Sequence, residues 1–214
     1  MPKLATACAL ACAIAATAPA ASQDATAAPA AGTPATLKAL LLDFDHGDTG
    51  VSPALYADDS GTLFKLDAAP KPRGRSAHFA WKANHSTAMS VQWDEPVALP
   101  ALDQPGFHKS ASVAVWCKDP SILSRFGFQA IDSAGVTWQW QIPATQALPG
   151  TWTTLIFDLD AANVTGGHWG GGSSASDKPV PPMKLHAIAF DFPTKDEAGE
   201  IWIDDIAMAA PAAK

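Results

Sequence analysis

Positive charge is scarce. Lys and Arg number 14 against 21 Asp and Glu, a formal net charge of −7, and no basic cluster interrupts the 214 residues. Nucleic-acid binding draws most of its affinity from neutralised phosphates, so the chain carries no footprint for it. The same deficit argues against docking on anionic lipid. Charge of either sign is thin, at 16%, where an average soluble domain has roughly a quarter. Cysteine occurs three times and tyrosine once. Cys8 and Cys12 fall in the N-terminal leader, which leaves Cys117 alone and allows no intrachain disulfide in the remainder. A secreted domain without one relies on core size or a metal ion. Helical periodicity is missing as well: between Leu37 and Met208 no window keeps apolar residues at helical spacing over successive turns.

What is present begins with a leader. Met1-Pro2-Lys3 supplies one positive charge, Leu4 to Ala18 is almost wholly apolar, and Ala18-Pro19-Ala20 places small residues where a signal peptidase reads. Residues 1–20 therefore read as a secretory signal peptide, with a run shorter than the ~20 residues of a membrane-spanning helix. No leucine lies three residues before Cys8 or Cys12, so no lipoprotein anchor is expected. Residues 21–36, Ala- and Pro-rich, cannot bury enough surface to offset their ordering entropy and read as a disordered tether. The expected location is secreted or periplasmic, and the expected state a monomer.

From residue 37 to 210, short alternating or apolar runs recur between Gly, Pro, Asp and Ser: 39–44, 62–66, 78–82, 89–93, 112–117, 126–131, 136–142, 152–159, 185–192 and 201–208. About ten strands without intervening helices predict an all-β, antiparallel two-sheet sandwich of jelly-roll type. One hairpin can be worked out in detail. Ile131-Asp132-Ser133-Ala134-Gly135-Val136 suits a type I turn closed by a left-handed glycine with a bulge. That register pairs Phe126 with Ile142, Phe128 with Trp140 and Ala130 with Trp138, so that Phe126, Phe128, Trp138, Trp140 and Ile142 share one face. A one-residue slip would mix glutamines into it. Trp138 and Trp140 are thereby assigned to the core, and Cys117, in phase with Val113 and Val115, to a buried structural thiol.

The opposite face carries Arg125, Gln129, Gln139 and Gln141 around Gly127. If the preceding strand neighbours the hairpin, Trp116 stands beside them. Planar amides and a guanidinium next to an indole suit a neutral polyhydroxyl ligand, whose C–H faces pack on the ring while its hydroxyls bond the amides. An ordinary solvated face with one exposed Trp is the alternative. Trp169 lies in Gly166-Gly167-His168-Trp169-Gly170-Gly171-Gly172, read either as a mobile lid over a sheet edge that would add Trp169 to the ligand site, or as a disordered excursion.

Four segments resemble galactose-binding-like jelly-roll domains, the fold of many secreted carbohydrate-binding modules. They are Leu41-Leu42-Asp43-Phe44-Asp45, Ser76-Ala77-His78-Phe79-Ala80-Trp81, Gly150-Thr151-Trp152 with the strand after it, and Glu200-Ile201-Trp202-Ile203-Asp204-Asp205-Ile206. They occur in the family's order. The resemblance implies adjacent first and last strands joined by a structural calcium, with Asp45 and Asp204 as ligands and Asp43 and Asp205 as alternates. Calcium's demand for six to eight oxygens is compatible with such a set, while acidic edge-strand charges are the competing account of Asp43 and Asp45.

No catalytic motif emerges. The six histidines show no metal-ligand spacing, no serine sits in a G-x-S-x-G elbow, and pairs such as Asp158 and Asp160 arise in any acidic strand. The function expected is non-catalytic binding of a neutral poly- or oligosaccharide. The alternatives are a periplasmic structural or protein-docking sandwich, and a jelly-roll glycosidase or lyase.

Overall fold

The computed structural model describes residues 37–45, 51–55, 63–83, 87–99, 109–172, 177–194 and 196–209. The leader and tether expected at 1–36 lie outside the described residues, as does Tyr56.

Twelve strands are described: β1 (Leu37–Leu42), β2 (Val51–Leu55), β3 (Leu63–Ala68), β4 (Arg75–Trp81), β5 (Ala88–Ala98), β6 (Ser110–Cys117), β7 (Arg125–Ile131), β8 (Val136–Pro143), β9 (Thr153–Asp158), β10 (His168–Gly170), β11 (Lys184–Asp191) and β12 (Gly199–Ala209). They form two six-stranded sheets. One runs β3-β4-β12-β6-β9, with β1 paired to β12, and the other β10-β8-β7-β11-β5-β2. Every strand pairing is antiparallel. The two-sheet sandwich expected from the alternating runs is observed, and the first and last strands lie side by side.

The hairpin register is the one derived from the sequence: Phe126 opposite Ile142, Phe128 opposite Trp140, Ala130 opposite Trp138. Gly135 closes the turn at φ +78°, donating to the Asp132 carbonyl at 3.1 Å. Phe126, Phe128, Trp138 and Trp140 are buried, and Ile142 packs at the edge of the core. Inner faces of the two sheets meet through Phe79 against Phe190, ring centroids 5.5 Å apart, and Phe128 against Phe157 at 5.7 Å. Cys117 is 1% exposed, and burial pushes its thiol up to about 11.

Two strands escaped the sequence reading. β2 contains Pro53 within five residues and lies at the edge of its sheet, where a missing N–H is tolerated. β10 is embedded in the glycine stretch. Gly166 donates to the Gln139 carbonyl at 3.0 Å and Gln139 to the Gly167 carbonyl at 3.1 Å, so this segment is an edge strand on β8. A Cβ at Gly166 would lie 2.5 Å from Gln139 Cγ; the absent side chain is what allows the approach.

Candidate functional site

Alternation along the second sheet sends one set of residues into the core and the other outward. The outward set comprises Arg125, Gly127 and Gln129 from β7, Thr137, Gln139 and Gln141 from β8, Ala187, Ala189 and Asp191 from β11, and Ala88 and Ser90 from β5. Small residues predominate on β11 and β5, and long polar ones on β7 and β8. A cleft of about 360 Å³ results, lined by Ala88, Met89, Gln129, Gln139, Trp169, Ala189 and Asp191. Trp169 pairs with Thr137 and so joins the same face, with 43% of its surface exposed. Its neighbour His168 turns the other way and stacks on Trp138 at 4.6 Å.

The glutamines are more deeply set than the sequence implied. Gln129 is 2% and Gln139 7% exposed, and Gln129 Nε2 donates to Gln139 Oε1 at 2.7 Å. Gly127 does not leave an open groove: a Cβ there would sit 3.1 Å from Gln139 Nε2 and 3.2 Å from the Ala189 Cβ, so the amide fills the space. Gln129 Oε1 and Ser90 Oγ are buried with no hydrogen-bond partner. Orphaned buried polar atoms are rare and costly, and they point to a water or a ligand group that completes them.

Asp191 closes one side of the cleft. Its Oδ2 accepts from Gln141 Nε2 at 2.9 Å and lies 3.5 Å from Arg125 Nε. Arg125 Nη1 in turn donates to Gln141 Oε1 at 3.0 Å. Burial pushes the Asp191 carboxyl above the usual carboxylate range, while Arg125 and Gln141 pull it back. Arg125 and Gln141 thus hold Asp191 in place, whereas Gln129, Gln139 and Trp169 line the cleft itself. Asp191 was missed in the sequence, although an acid inside the apolar run 185–192 was the available signal.

Trp116 does not stand beside the glutamines. β6 pairs with β12 and β9 in the other sheet, so the condition on which that placement rested fails. Lys65, His78, Trp202 and Trp116 face one another in turn across β3, β4, β12 and β6. His78 stacks on Trp202 at 3.9 Å and Trp116 meets Trp202 edge-on at 5.0 Å. Even strand spacing cannot tell which of two sheets a strand joins.

The four aspartates of the expected calcium site have other partners. Asp204 is 4% exposed; its Oδ2 accepts from Ser76 Oγ at 2.9 Å and Arg73 Nη1 at 3.3 Å, and its Oδ1 from the Asp205 N–H at 2.9 Å. Asp205 also pairs with Arg73. Asp45 Oδ1 accepts from the Arg75 N–H at 2.9 Å, and Asp43 Oδ1 from the Asp45 N–H at 3.3 Å. Among the described residues no group of three or more His, Cys, Asp or Glu side chains is placed to hold a metal ion. Each of these four carboxylates thus already accepts at least one hydrogen bond or ion pair from the protein itself.

No protein-family model matches the chain, and no curated protein does so. Solved structures do. The family 11 carbohydrate-binding module of the cellulosomal cellulase Lic26A-Cel5E of Clostridium thermocellum is 12% identical, with a TM-score of 0.51 over 83% of this chain and 98% of the module. A β-1,2-glucanase from Parabacteroides distasonis is 14% identical, with a TM-score of 0.51 over 85% of this chain but only 26% of the enzyme. At these identities the likeness speaks for the fold alone, since one sandwich serves many functions. Among the described residues no helix is long and apolar enough to cross a membrane. The chain has the antiparallel β-sandwich fold of carbohydrate-binding modules.

Proposed function

We propose that the chain is an exported, non-catalytic binder of a neutral glycan, and that the ligand lies in the cleft over the β8-β7-β11-β5 face. The observation that carries this is the pairing of an exposed indole, Trp169, with a buried amide, Gln129, whose oxygen has no hydrogen-bond partner. A pyranose ring presents an apolar face to an indole and hydroxyls to amide and carboxylate oxygens, and a cleft of this size falls within the usual range for small-ligand sites. Gln129 Oε1 would accept a hydroxyl proton and Gln139 would orient that amide. Asp191 would accept from further hydroxyls, with Arg125 and Gln141 as its support. The similarity to a family 11 carbohydrate-binding module favours a sugar over other polar ligands, and the N-terminal leader favours export.

Binding rather than hydrolysis is supported by the lining. Two-carboxylate glycoside hydrolysis needs a second acid about 5–10 Å from the first, and Asp191 is the one carboxylate among the described residues lining this cleft. The test is a depletion assay on insoluble polysaccharides, together with calorimetry on soluble neutral oligosaccharides. Trp169→Ala should weaken binding about 10- to 100-fold, as loss of one aromatic anchor does at small sites, while Trp116→Ala should leave it unchanged. If wild type binds no glycan in a broad panel, or if Trp116→Ala alone abolishes binding, the cleft is not the site.

A further inference from the structure

The end of the sandwich where β1 meets β12 concentrates acid. Asp43 and Asp45 follow directly on the first strand, and Asp204 and Asp205 sit in the middle of the last. A bulge between Asp204 and Ala207 puts Asp205 at φ +43°, so both carboxylates turn toward one place. Burying a carboxylate is expensive unless a counter-charge accompanies it, and Asp204 is only 4% exposed. The chain therefore needs a cation here.

The β3–β4 turn provides one. It is closed by the Ala69 N–H donating to the Gly74 carbonyl at 2.8 Å and is folded onto the outer face of the sheet. Arg73 reaches both Asp204 and Asp205 through Nη1, and its guanidinium lies 4.7 Å from the centre of the Trp152 ring. Trp152 Nε1 ties the same turn down by donating to the Pro70 carbonyl at 2.7 Å. On the other side Arg75 donates its N–H to Asp45. A Cβ at Gly74 would sit 2.5 Å from that Asp45 oxygen, so glycine is what lets the turn approach.

We propose that Arg73 is the built-in cation of this site, closing the end of the sandwich where a bound calcium would otherwise be expected, so that the native fold is independent of divalent metal. A guanidinium offers a planar fork of N–H donors that matches carboxylates, and being covalently attached it owes nothing to the metal concentration outside the cell. A metal-closed sandwich would instead gain stability with ion concentration by mass action.

Thermal unfolding of the purified full chain tests this. In excess EDTA and in millimolar calcium the wild-type Tm should be the same. Arg73→Ala should lower it by roughly 5–10 °C under both conditions, the scale of a broken, partly buried ion pair in a domain of this size. Arg73→Lys should recover only part of that loss, since an ammonium does not stack on the Trp152 ring as the planar guanidinium does. The double variant Arg73→Ala/Asp204→Ala should lose less than the sum of its singles, because the two side chains act on each other. A wild-type Tm that falls in EDTA and returns with calcium overturns the proposal, and so does strict additivity of the two alanine substitutions. If Arg73→Ala does not fold, the same comparisons run on Arg73→Lys and Asp205→Asn, where an EDTA-sensitive Tm or unaltered stability is equally fatal.

Discussion

Asp132 is the residue on which the β7–β8 hairpin depends most, and its removal has a magnitude that can be worked out. The side chain is 6% exposed. Its Oδ1 accepts the Ala134 and Val136 N–H groups, each at 2.9 Å, which closes the bulged turn. Its Oδ2 accepts Trp138 Nε1 at 2.9 Å and the Val180 N–H at 3.1 Å, tying the turn to the core and to the segment before β11. Asp132→Ala strands all four donors. Those of Trp138 and Val136 belong to residues 2% and 0% exposed, and an unsatisfied buried donor costs about 1–3 kcal/mol. The other two reach water more readily, so the expected loss is about 3–5 kcal/mol. Asp132→Asn keeps one acceptor but turns an NH₂ toward two donors, for about 2–3 kcal/mol. Urea unfolding at neutral pH measures both. The pH dependence has a definite sign. Burial works against the charge, but the bonds from Trp138, Val136, Val180 and Ala134 prevail and hold the carboxyl below its usual range. Its contribution is then fully present above the unfolded-state value near 3.9 and fades as pH falls through the lower folded value. The wild-type advantage over Asp132→Ala should therefore shrink below about pH 4. An Asp132→Ala midpoint within about 0.5 kcal/mol of wild type, or a gap unchanged in acid, would refute this account.

Four further outcomes follow from named contacts. Trp140→Ala removes a core indole whose Nε1 donates to the Asp160 carbonyl at 3.0 Å; it should cost about 3–5 kcal/mol in chemical denaturation. Gly166→Ala should peel β10 from β8, because the new methyl meets the Gln139 side chain at its Cγ, Cβ and Cδ; faster amide exchange at position 166 and at Gln139 than in wild type is the readout, along with weaker glycan binding. Gln129→Ala should reduce glycan affinity by about 2- to 10-fold, the worth of one net hydrogen bond, measured by calorimetry beside Trp169→Ala. Cys117, with its thiol pushed up to about 11 by burial, should resist alkylation at pH 8 in the folded protein and react at once in denaturant.

The local half of this structure was legible because side-chain alternation and turn chemistry are local. Asp132-Ser133-Ala134-Gly135 demanded a bulged turn, and the apolar phase of Phe126, Phe128, Trp138 and Trp140 admitted one register. What followed from those, the burial of both tryptophans and the outward set of Gln129, Gln139 and Gln141, agrees with the structure. The limits of the strands were blurred by a few residues, and β10 was hidden because glycine hides strand character while permitting strand contact. Long-range partners were not legible. Nothing in Ala111–Cys117 tells which sheet the strand enters, so Trp116 was set beside glutamines that lie across the core. Arg73 in a turn reads as an ordinary solvated charge until β12 brings Asp204 and Asp205 beneath it.

By itself, then, the sequence determined an all-β sandwich, the content of its core and the polar face of one hairpin, because a period of two residues and a glycine turn leave few alternatives. The tertiary structure decided which strands share a sheet, and with that the assembly of a cleft from Gln129, Gln139, Asp191 and Trp169 and the pairing of Arg73 with the last strand's acids. Those arrangements join residues dozens of positions apart, and only the order of strands within the sheets brings them within reach.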